Sequence, residues 1–365
     1  MKFDDISRVR LVNQQLSDPK YSSVKDLVGW MGALQAQDYD MAKLAIGLRL
    51  LNPCQTKIDA SIEQAEIIRT HVLRPTWHFV SSDDIYWMLK LSAPQIKSAA
   101  KSRDRDLGIT DSIFSKSNAL LEKILSGGKQ LTRPEIIEEF KKADIDTGNG
   151  RLYHLFMRAE IEGIIFSRDS KGNRQTYSLL REVVPETKTY TRDEALANLA
   201  NRYFNSHGPA TVQDFAWWSG LSVTESKKAL EMNLSDLNSE TIENQAYWFS
   251  PIVTTPKKAR GKMVLLPAFD EFVISYKDRK ASASEDYQRH AISSNGIFRP
   301  VIVVNGQVIG IWKRTMKKDK MLIHPIYFQS TDDGTKRMIL SAVKSFEVFF
   351  QKHVEIVQDK SEAIE

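Results

Sequence analysis

Two glutamines, Gln35 and Gln37, stand one residue apart in the stretch Leu34-Gln35-Ala36-Gln37-Asp38. The apolar spacing from Val24 to Leu34 predicts a helix that stops there. On a continuing helix, residues two apart project about 200° from each other, so both side chains converge only if the helix ends between them. Converging amide oxygens can hold a water and direct their dipoles at a developing positive charge. The alternative is that both glutamines are capping or surface residues.

The sequence lacks the motifs of several other kinds of enzyme. It contains no P-loop and no glycine-rich dinucleotide turn, and its seven His residues form no His-Glu-x-x-His zinc pattern. The single cysteine, Cys54, excludes an internal disulfide, an iron–sulfur cluster and a cysteine-based zinc site. No Lys stands in a context typical of a Schiff-base nucleophile. We therefore expect no metal, no nucleotide and no other cofactor.

Composition indicates a globular protein. With 365 residues, 42% of them hydrophobic and 27% charged, the chain is long enough for two or three domains. No apolar run reaches the length needed to cross a bilayer, and the first ten residues lack the apolar core of a signal peptide. Together with the single cysteine, this predicts a cytoplasmic protein that does not bind membranes.

Positive charge is concentrated in one part of the chain. Fourteen Lys or Arg and six Asp or Glu fall between Pro251 and Pro325, whereas the net charge of the whole chain is only +5. Such a cluster is typical of a surface that binds nucleic-acid phosphates, although a solvated basic face would look the same. The basic residues predicted to contact DNA are Lys257, Lys258, Arg260, Arg279, Arg299, Lys313, Arg314 and Lys317.

Three units with a similar order of elements are predicted. In the second, a helix is followed by one that begins with a Thr132–Glu135 capping box, then by a third helix and two strands joined at Gly172-Asn173. Helix, helix, helix and hairpin is the order of a winged helix-turn-helix, whose third helix usually enters a DNA groove. We therefore expect a mainly α fold with β-strands (α+β). The predicted unit boundaries are 1–112, 113–188 and 189–365, the last with a β-rich basic extension and a C-terminal helix.

Local signals give further predictions within these units. Asp38 or Asp40 is expected to cap a helix, Gly220 to end one, and Asn305-Gly306 to form a type I′ hairpin turn. Asp270 and Glu271 are expected to cap a short helix, with an acid pair as the alternative. Additional helices are predicted at Arg8–Leu16, Met41–Leu50, Ile62–Arg69 and Thr335–His353, and a buried strand with one satisfied His at Trp77–Val80.

Five blocks of sequence, in order, resemble the winged-helix DNA glycosylases of the AlkZ and YcaQ type. They are "GALQAQDYDMAKLAIGLR", "RPTWHFVSSDDIYWML", "GPATVQDFAWWSGLS", "LLPAFDEFVISYKDR" and "NGIFRPVIVVNGQVIGIWKR", and the resemblance runs from about Arg8 to Phe349. It implies three tandem winged helices around a C-shaped, positively lined channel for duplex DNA. It also implies excision of alkylated bases and, in some members, unhooking of interstrand crosslinks.

The resemblance also implies which residues act. The family's catalytic element is a Gln-apolar-Gln or Gln-apolar-Asp triplet, so Gln35-Ala36-Gln37 corresponds to the Gln–Gln branch, with Gln35 and Gln37 as catalytic residues. Some members insert a β-hairpin with a His-apolar-Pro tip into DNA. The candidate here is Tyr287–Phe298, which would bring His290 to the DNA but lacks the proline, so unhooking of crosslinks is a weaker expectation than base excision.

Release of an alkylated base is a reaction that neutral amide side chains can assist. A guanine alkylated at N7 is already cationic and leaves without a strong acid, so two Gln side chains need only orient water and stabilise oxocarbenium charge. The expected partner is duplex DNA carrying alkylated purines, bound by a monomer, and the expected enzyme is a monofunctional glycosylase. Two alternatives share the fold: a non-catalytic winged-helix DNA-binding protein such as a transcription regulator, and a resistance protein that sequesters a modified base without cleaving it.

Overall fold

A computed structural model describes residues 1–171, 174–251, 259 and 261–357, and its helices and strands are mixed along the chain. The helices are α1 (Phe3–Asn13), α2 (Val24–Met31), α3 (Tyr39–Gly47), α4 (Gln55–Glu63), α5 (Ile85–Asp106), α6 (Asp111–Leu125), α7 (Arg133–Lys142), α8 (Arg151–Ile161), α9 (Leu180–Val183), α10 (Arg192–Ser206), α11 (Val212–Ser219), α12 (Val223–Glu231), α13 (Glu271–Ile274), α14 (Glu285–Ala291) and α15 (Asp333–Phe350). Within this part of the chain, no helix is both long enough and apolar enough to span a membrane.

The strands form three antiparallel or mixed sheets. They are β1 (Leu34–Gln35), β2 (Ile67–His71), β3 (Trp77–Ser81), β4 (Leu131–Thr132), β5 (Ile165–Lys171), β6 (Arg174–Leu179), β7 (Asn238–Ile242), β8 (Gln245–Phe249), β9 (Met263–Leu266), β10 (Val301–Val304), β11 (Gln307–Met316), β12 (Lys320–Tyr327) and β13 (His353–Ile356). The α+β class predicted from the sequence is confirmed.

Several local predictions are confirmed by the backbone. The Asp38 side chain caps α3 by accepting a hydrogen bond of 3.1 Å from the Met41 N–H. Thr132 and Glu135 form the predicted capping box, and Gly220 ends α11 with a φ of 71°. Asn305 and Gly306 have φ values of 51° and 89°, as a type I′ turn between β10 and β11 requires. These signals depend on a few neighbouring residues, which is why the sequence alone reveals them.

Three predictions are wrong. The helix predicted from Val24 to Leu34 ends at Met31, because Gly32 adopts a φ of 77° and the chain continues as β1. The helix predicted at Ile62–Arg69 is instead the end of α4 and strand β2; Ala65, at φ 55°, separates the two. The predicted insertion hairpin at Tyr287–Phe298 starts inside helix α14, which ends at Ala291, and only its second part forms a turn, closed by an antiparallel bridge between Ile292 and Phe298.

The largest sheet joins the first and second predicted units. Its order is β1-β3-β2-β5-β6-β4, and β2 meets β5 through the pair Arg69 and Ser167. A second sheet has the order β13-β12-β11-β10-β9, in which β13 lies parallel to β12. Strands β7 and β8 form a separate hairpin. The short strand β1, which carries Gln35, is therefore the edge of the sheet that spans the first two units.

The hydrophobic cores connect distant parts of the chain. One core lies within residues 109–179 and belongs to the second predicted unit alone. Another combines residues between 33 and 91 with residues between 180 and 276. A third combines residues between 24 and 79 with residues between 263 and 354, including Phe346 and Phe349 of α15. The segment that carries the two glutamines therefore packs against elements from the C-terminal half of the chain.

Candidate active site

Gln35 and Gln37 lie on the short connection between α2 and α3. Gln35 ends strand β1, and Gln37 stands just before Asp38, the N-cap of α3. The backbone is extended at Gln35 but bends at Gln37 and Asp38, so the alternation of a regular strand does not extend to Gln37. They differ in exposure, since Gln35 is 6% exposed whereas Gln37 is open to solvent. Helix α2 ends at Met31, before both residues, so the predicted helix end between the two glutamines is wrong.

The backbone of this segment is held on both sides. The N–H of Gln35 donates to Oε1 of Glu271 at 2.6 Å, and the N–H of Ala36 donates to the carbonyl of Trp77 at 2.7 Å. The Ala36 carbonyl accepts two hydrogen bonds from one guanidinium, from Nε of Arg69 at 3.0 Å and from Nη2 at 2.9 Å. The Gln35 N–H, the Ala36 N–H and the Ala36 carbonyl are therefore each hydrogen-bonded to another element of the protein.

The side chain of Gln35 is oriented by Arg74. Nη2 of Arg74 donates to Oε1 of Gln35 at 2.8 Å. A carbonyl oxygen has two lone pairs, so this contact leaves one acceptor site on Gln35 and polarises it. Burial lowers the pKa of Arg74, and the charge of Glu271 partly offsets that change. Because the pKa of arginine starts above about 12, Arg74 keeps its proton at neutral pH.

Glu271 is a buried carboxylate at the start of α13. Its side chain is 1% exposed and accepts hydrogen bonds from Nε1 of Trp218, at 3.1 Å, and from the hydroxyl of Ser275. Nε2 of His207 lies 3.7 Å from Oε2 of the same carboxylate. Burial alone raises the pKa of Glu271, but the hydrogen bonds and nearby charge outweigh it, and the pKa falls to about 2. Glu271 is therefore ionised at neutral pH.

His78 faces Gln35 across the sheet. The two residues are paired in the register of β1 and β3, and the His78 side chain is fully buried. Burial and the nearby Arg74 charge lower the pKa of His78 to about 3, so the ring is neutral at physiological pH. Its Nδ1 lies 3.0 Å from the Thr76 carbonyl and therefore carries the proton. Nε2 is a buried acceptor without a hydrogen-bond partner among the described residues, so the expectation of a satisfied histidine is wrong.

Arg69 lies between two aromatic rings. Its guanidinium carbon is 4.7 Å from the ring centroid of Trp77 and 5.5 Å from that of Tyr39. Burial lowers the pKa of Arg69, while the charge of Glu160 raises it. The flat guanidinium can direct two N–H groups at one carbonyl oxygen only in a fixed orientation, and the two rings help to hold that orientation.

The residues predicted to contact DNA divide into two groups. Arg299, Lys313 and Lys317 are exposed, and Arg314 and His290 are half-exposed, with rings of Phe350 and Phe328 beside them. Arg279 is instead engaged inside the protein. Its Nε donates to the Val273 carbonyl at 3.0 Å, its guanidinium lies 5.1 Å from the Phe298 ring, and burial lowers its pKa. Lys257, Lys258 and Arg260 lie outside the described residues.

Four residues around the glutamines are poorly indicated by sequence patterns. Glu271 had been grouped with Asp270 as a helix cap; Asp270 does cap α13, by accepting from the Phe272 N–H, while Glu271 reaches Gln35. Arg69 falls in a segment predicted as helix, and no sequence pattern marks Arg74 or Trp218 for a role beside the glutamines. The one signal for Glu271 was a charged residue within an apolar stretch, which buried positions rarely tolerate unless the charge is paired.

Comparisons with known proteins agree with this architecture. The sequence is 26% identical over 325 residues to the interstrand DNA cross-link repair glycosylase of Streptomyces sahachiroi, across 83% of this chain and 85% of that protein. The structure matches that of Streptomyces sahachiroi DNA glycosylase AlkZ with a TM-score of 0.82 at 19% identity, covering 98% of this chain and all of the other. At such low identity the second match shows the fold.

The family assignment comes from the sequence itself. The model of the AlkZ-like DNA glycosylase family matches residues 28–349, which include both glutamines, Glu271 and the basic β-rich region. The resemblance noted in the sequence is thereby confirmed. The chain belongs to the AlkZ-like DNA glycosylase family.

Proposed function

We propose that the protein is a monofunctional glycosylase that hydrolyses the N-glycosidic bond of cationic N7- or N3-alkyl purines in duplex DNA and leaves an abasic site. Gln35 and Gln37 are the proposed catalytic residues. Interstrand crosslinks are proposed as further substrates, since the Streptomyces relative is named for their repair. Three tandem winged-helix units in one chain would suit a monomer bound along the duplex.

One observation supports the substrate class: of the described residues next to Gln35, neither Glu271 nor His78 can protonate a leaving base at neutral pH. Glu271 is ionised, with a pKa of about 2, and the proton of neutral His78 is directed at the Thr76 carbonyl. General acid catalysis requires a donor with a pKa near the working pH. A normal purine is a poor leaving group without such a donor, whereas a purine that is already cationic departs without one. The site therefore favours alkylated bases.

The two glutamines would have unequal roles. Gln35 is buried and fixed by Arg74, so its remaining lone pair points in one direction and suits electrostatic stabilisation of the oxocarbenium charge. Gln37 is exposed, makes no side-chain hydrogen bond to the described residues, and can reach a water on the DNA side of the segment. Neither amide has a usable pKa, so each orients and polarises rather than removing a proton.

The direct test measures base release. Duplexes carrying one N7-methylguanine, one normal guanine at the same place, or an interstrand crosslink are incubated with the wild type, Gln35→Ala, Gln37→Ala and the exposed control Gln245→Ala. Alkali-labile abasic sites are counted. We expect release of the methylated base by the wild type and the control and loss in the two site variants.

Two results would contradict the proposal. Release that survives both Gln35→Ala and Gln37→Ala would place the active site elsewhere. Intact DNA binding without release of the base by the wild type, on the methylated and on the crosslinked duplex, would favour a DNA-binding protein without chemistry, such as a regulator, which should then prefer one DNA sequence.

A further inference from the structure

We propose that Arg69 and Glu271 are positioning residues that hold the Gln35-Ala36-Gln37 segment from opposite sides, and that their loss slows excision without weakening DNA binding. This inference rests on the proposed function of the two glutamines. Neither side chain is assigned a contact with DNA, because Arg69 donates to the Ala36 carbonyl and both oxygens of Glu271 accept hydrogen bonds inside the protein.

Arg69 fixes the peptide between the two glutamines. Both of its hydrogen bonds end on the Ala36 carbonyl, which belongs to the peptide plane that joins Ala36 to Gln37. Since that plane is rigid, fixing its oxygen sets the direction in which the chain presents Gln37. The exposed glutamine has no other side-chain anchor among the described residues, so its placement depends on Arg69.

Glu271 fixes the other end of the segment. Its Oε1 accepts the Gln35 N–H at 2.6 Å, and its Oε2 is held by Trp218 and Ser275. A buried carboxylate is retained only when its charge is satisfied by donors, and here one of those donors is the backbone of the proposed catalytic residue. The charge of Glu271 also acts on Arg74, which holds the Gln35 side chain. Loss of that charge would therefore relax both the backbone and the amide of Gln35.

Small displacements of the segment should have large effects on rate. Orientation of reacting groups supplies much of an enzyme's acceleration, and a displacement of about 1 Å can cost about 10²-fold. Duplex binding is expected to depend on phosphate contacts of exposed basic residues, whereas Arg69 and Glu271 are buried, so affinity should stay nearly constant.

The experiment compares conservative variants with matched controls. Arg69→Lys keeps the charge but loses the two-pronged geometry, Arg69→Met loses both, and Glu271→Gln keeps the shape but loses the charge. Arg10→Lys is the control for the arginine, because Arg10 is also buried, donates to the Pro209 carbonyl at 2.9 Å and stacks 3.5 Å from the Tyr276 ring. Asp214→Asn is the control for the carboxylate, because buried Asp214 also accepts a backbone N–H, from Lys277 at 2.9 Å.

Three quantities are measured for each protein: the single-turnover excision rate on the N7-methylguanine duplex, the affinity for the same duplex, and the thermal midpoint. We expect Glu271→Gln and Arg69→Met to lower the rate by about 10- to 100-fold, with affinity within about threefold, and Arg69→Lys to be intermediate. The controls should lower the midpoint to a similar extent and leave the rate within about threefold of wild type.

A fourth measurement separates this proposal from the proposed function. Hydrogen exchange of residues 34–37 should be faster in Glu271→Gln and Arg69→Met than in the wild type, and unchanged in the two controls. If the wild type releases no base, the proposed function fails. The exchange data still test whether Arg69 and Glu271 hold the Gln35-Ala36-Gln37 segment. Wild-type rates in all three site variants, equal slowing in the controls, or unchanged exchange would each overturn the proposal.

Discussion

The backbone N–H of Gln35 donates a hydrogen bond of 2.6 Å to Oε1 of Glu271, 236 positions later in the chain. The contact brings a proposed catalytic residue on the edge strand β1 against the first residue of α13. Trp218, at the end of α11, completes the arrangement by donating to the same carboxylate. The glutamine segment is therefore placed by three parts of the chain, and residues that place it can be distinguished experimentally from residues that meet the DNA.

The two glutamines should differ in what their removal does to stability. Gln35→Ala leaves a half-buried guanidinium N–H of Arg74 without its acceptor, which should destabilise the fold by about 1 kcal/mol or more. Gln37→Ala removes an exposed side chain and should change the free energy of unfolding by less than about 0.5 kcal/mol. Both should abolish excision. Urea unfolding beside the excision assay checks this; equal destabilisation by both variants would contradict the asymmetry.

Gly220 should be needed to place Arg74. A Cβ added at Gly220 would lie 2.4 Å from the Leu73 carbonyl oxygen, so Gly220→Ala must push away the loop that carries Arg74. Gly127→Ala is the matched control, since both glycines have φ above +70° but nothing lies within 4 Å of a Cβ at Gly127. Both variants carry a backbone strain of about 1–3 kcal/mol.

Only Gly220→Ala should also lower the excision rate, by about tenfold or more, because it displaces the group that orients Gln35. The thermal midpoint and the single-turnover rate are measured together. If both alanine variants keep the wild-type rate, the loop that carries Arg74 does not set the geometry of the site.

Acid should destabilise the protein partly through His78. The unfolded chain binds a proton at a histidine below about pH 6.5, whereas buried His78 binds one only near pH 3, so stability is full above pH 6.5 and falls as the pH drops. Between pH 7.5 and 5 this group alone should cost about 2 kcal/mol. Glu271 has a pKa of about 2 in the folded protein. It contributes almost no loss of stability between pH 7.5 and 5, because it is mostly ionised there in the unfolded chain as well.

Urea unfolding of the wild type and His78→Gln at both pH values is the measurement. The variant should be less stable at pH 7.5 but should lose less stability on acidification. His207, whose pKa burial also lowers, remains in both proteins and accounts for a residual loss. An identical loss in the two proteins would show that His78 titrates normally when folded.

The exposed and engaged basic residues should respond differently to alanine substitution. Lys313→Ala and Arg299→Ala should weaken binding to any duplex and each reduce the slope of log affinity against log salt by about 1, as expected for a lost phosphate contact. Arg279→Ala should instead lower the thermal midpoint, because its guanidinium is bonded to the Val273 carbonyl and lies beside two rings. The assignment of Arg279 to a structural role would be wrong if only Arg279→Ala reduced the slope of log affinity against log salt by about 1.

The sequence predicted features whose causes are local. The Asp38 cap, the Thr132 capping box and the Asn305-Gly306 turn depend on side chains within three residues of each other, and all three form. The glutamine pair was likewise visible as a short pattern. Glu271 was not, because its role arises from a contact with a strand more than two hundred residues away, and no periodicity records such a contact.

Two of the errors also have a physical explanation. The segment Ile62–Arg69 has apolar residues at helical spacing, yet the left-handed backbone of Ala65 ends α4 and sheet pairing takes Ile67 and the following residues into β2. The segment Tyr287–Phe298 contains Gly296 and polar residues typical of a turn, but the Ser284 cap begins a helix before them. In both segments, a residue that ends or begins a helix outweighed the pattern on which the prediction was based.

The core shared by the two ends of the chain also bears on how the protein is made. Phe349 of α15 packs so closely on α3 that a Cβ at Gly47 would lie 2.4 Å from its ring. A nascent chain that has left the ribosome only as far as residue 260 has already exposed Gln35 and Gln37, but has neither Glu271 nor the ring that covers α3. A chain terminated before residue 271 therefore carries both glutamines without the carboxylate that accepts the Gln35 N–H.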